Sequence, residues 1–115
     1  LKMAGSDIWS NNRKLKKIVI PEGVTKIPDR TFQNASYLRY VILPATLKTI
    51  GTAAFEGCKG LPEIELNSGL TQIGEYSFAD CDGLITVKIP ETVTQIGYRA
   101  FAQCRNLVYL LWETV

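Results

Sequence analysis

Apolar residues recur along the chain with a period of 23 residues, and glycines, prolines and phenylalanines keep the same period. Four full units follow one another without insertion, at residues 15–37, 38–60, 61–83 and 84–106. Residues 1–14 match the end of a preceding unit, and residues 107–115 match the start of a following one. Repetition at such a period is typical of solenoids, in which each unit packs only on its neighbours. We therefore predict one solenoid domain over residues 1–115.

The first half of each unit has the pattern of a strand. Positions 4 and 6 are apolar in every unit, which is the period of two expected for a strand with one buried face. Position 7 is proline in three units and Asn67 in the third, and proline ends a strand because it lacks the N–H that a ladder needs. Stacking of the units predicts a parallel sheet along one face of the solenoid.

The second half of each unit predicts a second extended segment, a turn and an aromatic column. Positions 10 and 13 are apolar, and position 14 is glycine in three units and Pro28 in the first. We interpret the glycines as turn residues with positive φ, a conformation that proline cannot adopt. Position 18 is Phe32, Phe55, Phe78 or Phe101 and follows a small residue, which predicts short helical turns around a stack of rings.

Composition gives little support for catalysis. The chain has no histidine, which is the commonest general base and metal ligand, and its net charge is only +2. Glu63 and Glu65 alternate on one strand, but on an open sheet we expect them to be solvated. No apolar run reaches the length of a transmembrane helix. We predict no enzyme activity, no cofactor, no nucleic-acid partner and no membrane insertion.

The three cysteines share one position of the repeat. Cys58, Cys81 and Cys104 all stand at position 21, where the first unit has Ala35. A metal site, disulfides between units and a ladder of small buried thiols are the three interpretations. Zinc prefers a tetrahedron to a line of ligands, and Ala35 can replace a packing residue but not a ligand. The pattern favours packing, with no metal site.

The outward face of the first-half strands is the candidate binding site. Positions 3 and 5 point away from the buried positions 4 and 6. Apolar and aromatic residues in these two rows are typical of a protein interface, although they also favour strands for structural reasons alone. The predicted partner-binding residues are Lys17, Val19, Tyr40, Ile42, Glu63, Glu65, Thr86, Lys88, Tyr109 and Leu111.

The unit L-x-x-I-x-I-P-x-x-V-T-x-I-G-x-x-A-F-x-x-C-x-x resembles the BspA-like leucine-rich repeat family over the whole chain. Residues 93–97 and 54–58 match it best, and the departures are Pro28, Asn67, Ala35 and Trp9. The resemblance implies a right-handed leucine-rich-repeat coil. It also implies a secreted or cell-surface adhesin-like protein of bacteria or parasitic protists, with a host or microbial surface protein as its partner.

Other functions fit the same repeat. An intracellular scaffold and a non-binding spacer are the alternatives to a surface adhesin. The first fourteen residues lack the apolar core of a signal peptide, and we expect the chain to be a fragment or a processed product. Coils cut at both ends, including the region of Trp112, also predict end-to-end self-association.

Overall fold

The chain forms a parallel β-solenoid in the computed structural model, which describes residues 5–112. The outer parts of the two incomplete units, 1–4 and 113–115, lie outside the described residues. Eight short strands follow one another: β1 Lys17–Val19, β2 Lys26–Ile27, β3 Tyr40–Ile42, β4 Thr49–Ile50, β5 Gln72–Ile73, β6 Thr86–Ile89, β7 Gln95–Ile96 and β8 Tyr109–Trp112. Each paired residue lies 23 positions from its partner, which confirms the predicted repeat solenoid.

The continuous sheet lies in the second half of the units. Strands β2, β4, β5 and β7 pair in that order, all parallel, and this confirms the second extended segment. Ile27, Ile50 and Ile73 point from these strands into the core and are almost fully buried. The strand residues before them stay at the surface or near it. One face of this sheet therefore closes the core, and the other meets solvent.

The first-half sheet is interrupted, contrary to the single sheet that the pattern predicts. Strand β1 pairs with β3 and β6 with β8, while the third unit makes only the isolated bridge between Glu63 and Thr86. In the second unit, the N–H groups of Arg39 and Tyr40 both donate to the carbonyl of Lys16. Pro62 occupies the position of Arg39 in the third unit and has no N–H to donate. The ladder loses its first hydrogen bond there.

A column of aromatic rings runs through the core, as the pattern predicts. Phe32, Phe55 and Phe78 are fully buried, and Trp9 and Phe101 extend the column at its two ends. Adjacent ring centroids lie 5.3–5.5 Å apart with interplanar angles of 4–16°. This spacing is an offset stack, in which each inner ring has aromatic neighbours on both faces.

The segment around the rings is a series of turns, and the prediction of short helical turns is wrong. Residues 5–112 contain no helix, and so none that could cross a membrane. Position 16 has positive φ in every unit, with 56° at Arg30 and 55° at Ala53, and position 20 is also left-handed. This alternation directs N–H groups to the next unit: that of Phe32 donates to Ala54 O and that of Phe55 to Ser77 O, both at 2.8 Å. Groups that bond between units cannot form the i to i−4 bonds of a helix.

The glycines at position 14 of the full units serve close packing, and the prediction of positive φ is wrong for them. Positive φ occurs at Gly5, in the same column of the incomplete first unit, and at Gly23, Gly57 and Gly69, but not at Gly51, Gly74 or Gly97. A Cβ at Gly74 would lie 2.7 Å from the carbonyl carbon of Gly51 and 2.8 Å from the oxygen of Ile50. Pro28 therefore fits the ordinary turn: Thr31 N–H donates to its carbonyl as Ala54 N–H donates to that of Gly51.

Candidate functional site

The predicted partner-binding residues all lie on the outward side of the first-half segments. Nine of the ten are exposed, and Thr86 is half-buried. Val19, Tyr40 and Ile42 are neighbours on the paired strands β1 and β3, and we call them the N-terminal patch. Tyr109 and Leu111 on β8 form the C-terminal patch. The structure thus divides the apolar part of the predicted face into two patches.

The two patches are separated by an acidic stretch at the interruption of the sheet. Glu63 and Glu65 are exposed there, in the unit that lacks a first-half strand. An open hollow of about 540 Å³ lies between the third and fourth units, and these two carboxylates line it together with Ser68, Thr86 and Lys88. The ten residues therefore form a face with apolar ends and a polar centre.

A second depression, which the sequence pattern did not lead us to expect, runs across the continuous sheet. It has a volume of about 640 Å³, and we call it the glycine groove. Its lining includes three glycines, four outward strand residues and three residues that follow position 14: Gly51, Gly74, Gly97, Lys26, Thr49, Gln72, Gln95, Asp29, Thr52 and Glu75. The sequence feature that indicates this groove is the column of polar residues at position 12, which lies beside the glycine column at position 14.

The cysteines form a ladder of thiols next to the aromatic column. The Sγ–H groups of Cys58, Cys81 and Cys104 donate to the carbonyls of Phe32, Phe55 and Phe78, at 3.3, 3.2 and 3.1 Å respectively. All three thiols are free, and Cys58 and Cys81 are fully buried. Within residues 5–112, no group of three or more metal-binding side chains comes together. These contacts fit the interpretation of the cysteines as packing groups.

Burial makes these thiols resistant to ionisation. Desolvation raises the pKa of Cys58 from its usual 9.0 to about 12, against a smaller opposing effect of a hydrogen bond with the backbone of Ala35. Desolvation also raises the pKa of Cys81 and, in the half-buried site at the end of the ladder, the pKa of Cys104. Since the thiolate is the nucleophilic and metal-binding form, burial disfavours reaction of these thiols at neutral pH.

The raised pKa values predict that the folded state loses stability above pH 9. Between about pH 9 and 12, thiols of the unfolded chain release protons that the folded chain retains, so the free energy of unfolding falls as pH rises. The loss is up to about 1.4 kcal/mol per pH unit for each fully buried thiol. Urea denaturation at pH 7, 9, 10 and 11 measures it. In the double variant Cys58→Ala/Cys81→Ala, the free energy of unfolding should fall less steeply with pH. Equal slopes for the variant and the parent would contradict the attribution of the loss to these two thiols.

Comparison with known proteins identifies the repeat. The model of the BspA type leucine-rich repeat region matches the chain in 6 copies over residues 2–113. The chain superposes with a TM-score of 0.91 on the crystal structure of a leucine-rich repeat protein from Bacteroides ovatus, with 37% identity over 97% of this chain. A leucine-rich repeat protein from T. pallidum gives a TM-score of 0.90 and 25% identity over 96% of this chain.

Both structures are longer than this chain, which spans 29% of the first and 62% of the second. No curated protein matches the chain significantly. Leucine-rich repeats generally mediate protein–protein interactions, and proteins built from them are typically binding modules without enzymatic activity.

Proposed function

Because the chain belongs to the BspA-type leucine-rich repeat family, we propose that it is a protein-interaction module of a secreted or cell-surface, adhesin-like protein. Its partner is a host or microbial surface protein that binds the outward face of the first-half strands. The observation that carries this proposal is the N-terminal patch, where three large apolar side chains are exposed side by side on paired strands.

The N-terminal patch has the composition of an interface centre. Tyr40 is 64% exposed and Ile42 51% exposed, although residues of this size usually bury most of their surface in a monomer. Tyrosine is enriched among residues that dominate binding energies, because it buries a large area with few rotatable bonds. The polar surround of Lys17, Glu63 and Glu65 supplies a rim that would orient a partner.

Replacing two residues of the N-terminal patch should weaken adhesion strongly while the fold stays intact. We expect beads coated with the chain to bind cultured intestinal epithelial cells, and excess free chain to compete with them. The variant Tyr40→Ala/Ile42→Ser should lower the number of bound beads at least tenfold, since loss of two central contacts costs about 2 kcal/mol or more. Its circular dichroism spectrum should match that of the parent chain, because both side chains are exposed.

A matched control makes the same chemical changes elsewhere on the surface. Tyr37 and Ile8 are also exposed but lie outside the first-half strands, so Tyr37→Ala/Ile8→Ser should bind as the parent does. Full binding by Tyr40→Ala/Ile42→Ser would exclude this face. Absence of competable binding by the parent chain would contradict a host-cell partner, and the same outcome with beads and bacterial cells would contradict the adhesin proposal.

End-to-end self-association also stays a proposal. It is supported by charges in one column of the repeat: Asp7 pairs with Arg30 of the next unit at 2.7 Å, and Arg99 occupies the same column in the fourth unit. A second copy could place its Asp7 opposite this Arg99. Light scattering over a range of concentrations measures the association, and a monomer at all of them would exclude it.

A further inference from the structure

The glycine groove owes its shape to two outward columns separated by a column without side chains. Thr49, Gln72 and Gln95 project from β4, β5 and β7 along one wall, and Thr52 and Glu75 belong to the other. Because the floor between them is glycine in three successive units, the depression runs along the solenoid axis across those coils. Its walls repeat at the spacing of neighbouring strands, about 4.8 Å.

Polar groups in the groove keep unused hydrogen-bonding capacity. The amide of Gln72 donates to Oε1 of Gln95 at 2.7 Å, which leaves the Oε1 of Gln72 and the Nε2 of Gln95 without a partner among residues 5–112. Within the same residues, the carboxylate of Glu75 and the hydroxyls of Thr49 and Thr52 make no side-chain hydrogen bond. This groove thus offers both donors and acceptors to a ligand.

Comparable polar side chains elsewhere on the solenoid pair with each other. Arg30 makes two hydrogen bonds to Asp7, at 2.7 and 3.2 Å. The amide of Gln33 donates to the carboxylate of Glu56 at 2.6 Å. Polar side chains in one column of this fold can therefore form hydrogen bonds with each other between coils. In the groove, several polar side chains form no such bond.

The chemistry of the lining selects a neutral, hydroxyl-rich ligand. Amides, hydroxyls and a carboxylate are the groups that exchange hydrogen bonds with sugar hydroxyls. The lining also contains Trp112, whose ring offers a surface on which the apolar face of a pyranose can pack. Asp29 and Glu75 outnumber the one lining cation, Lys26, which disfavours anionic ligands. A chain of pyranose rings is thin enough for an open groove and repeats its hydroxyl groups along its length.

From these features, we propose that the glycine groove binds a neutral linear oligosaccharide, with the Gln72 and Gln95 amides as its central contacts. This site is separate from the first-half face and does not depend on the protein partner proposed for that face. The groove is open along its length, so solvent competes for every hydrogen bond and affinity is weak. Dissociation constants on the order of 0.1–1 mM correspond to such a site.

NMR titration of the ¹⁵N-labelled chain tests the proposal at residue resolution. The probes are cellohexaose, mannohexaose and laminarihexaose. With at least one of them, we expect saturable shifts of the Gln72 and Gln95 side-chain amides and of the Gly51, Gly74 and Gly97 backbone amides. If none of the three sugars shifts these signals, or if the shifts fall on the N-terminal patch instead, the proposal is overturned.

Matched variants and an anionic probe make the test specific. Gln72→Ala/Gln95→Ala should weaken binding at least tenfold, as expected for loss of two hydrogen-bonding side chains. Gln33→Ala/Gln103→Ala makes the same changes outside the groove and should bind as the parent does, as should Tyr40→Ala/Ile42→Ser. Tetragalacturonate should bind at least tenfold more weakly than the best neutral sugar. The proposed site would be contradicted if tetragalacturonate bound as tightly as the best neutral sugar. It would also be contradicted if Gln33→Ala/Gln103→Ala weakened binding as much as Gln72→Ala/Gln95→Ala.

Discussion

Replacing Phe55 by alanine should destabilise the solenoid by about 3–5 kcal/mol, the usual cost of removing a large buried aromatic side chain. Phe55 is fully buried and stacks on Phe32 and Phe78, each at a centroid distance of 5.3 Å. Its removal leaves a cavity that two rigid coils cannot collapse to fill. Because each coil packs only on its neighbours, the loss also weakens the coupling between the two halves of the solenoid.

Urea denaturation followed by circular dichroism measures this loss, and Phe101→Ala is the matched control. Phe101 belongs to the same column but is only half-buried, and among residues 5–112 it stacks on Phe78 alone. We expect its replacement to cost about half as much, roughly 2 kcal/mol. Phe55→Leu should cost less than Phe55→Ala because it preserves more of the volume. Equal losses for Phe55→Ala and Phe101→Ala would show that stacking on both faces is unimportant.

The aromatic column could be predicted from the sequence because it follows from periodicity alone. Residues 23 positions apart must lie in neighbouring coils, so Phe32, Phe55 and Phe78 must stack whatever the local backbone does. The outward position of Tyr40 and Ile42 follows in the same way from alternation along the strand. Columns and faces are properties of the repeat itself.

Other features depend on which partners the backbone N–H and C=O groups bond to, and the apolar pattern does not indicate those partners. The pattern predicts an extended segment in both halves of the unit, yet only the second half forms a continuous sheet. A single residue, Pro62, removes an N–H from the first-half ladder, and its effect is clear only once the donors of Arg39 and Tyr40 are located. The apolar pattern does not distinguish helical turns from the turns of this solenoid, whose N–H groups bond to the next coil.

The sequence pattern does not predict the glycine groove, for a related reason. A glycine column in a sequence indicates turn residues as readily as close packing, so Gly51, Gly74 and Gly97 do not by themselves indicate a groove. Their φ values are ordinary, and what they lack is a Cβ. Absence of side chains in one column both lets the coils approach and leaves a groove between the columns on either side.

Replacing Gly74 by valine should therefore separate the coils and destabilise the protein by about 3 kcal/mol, near the upper end of the usual cost of overpacking. A Cβ on Gly74 would lie 2.7–2.8 Å from Gly51 C, Gly51 O and Ile50 O, all of them backbone atoms that cannot rotate away. Relief requires a shift of one whole coil against the next. That shift strains the hydrogen bond from Gly74 N–H to Ile50 O, now 2.8 Å long.

Thermal and urea unfolding of Gly74→Val measure the effect, and Thr52→Val is the control. Thr52 is half-exposed on the groove wall, so a nearly isosteric valine there should change stability by no more than about 0.5 kcal/mol. Gly74→Ala tests the cause: with φ outside the left-handed region, only crowding opposes it, and it should cost less than valine but more than the control. A Gly74→Val variant as stable as Thr52→Val would mean that the coils can separate at little cost, and that close approach does not require glycine in this column.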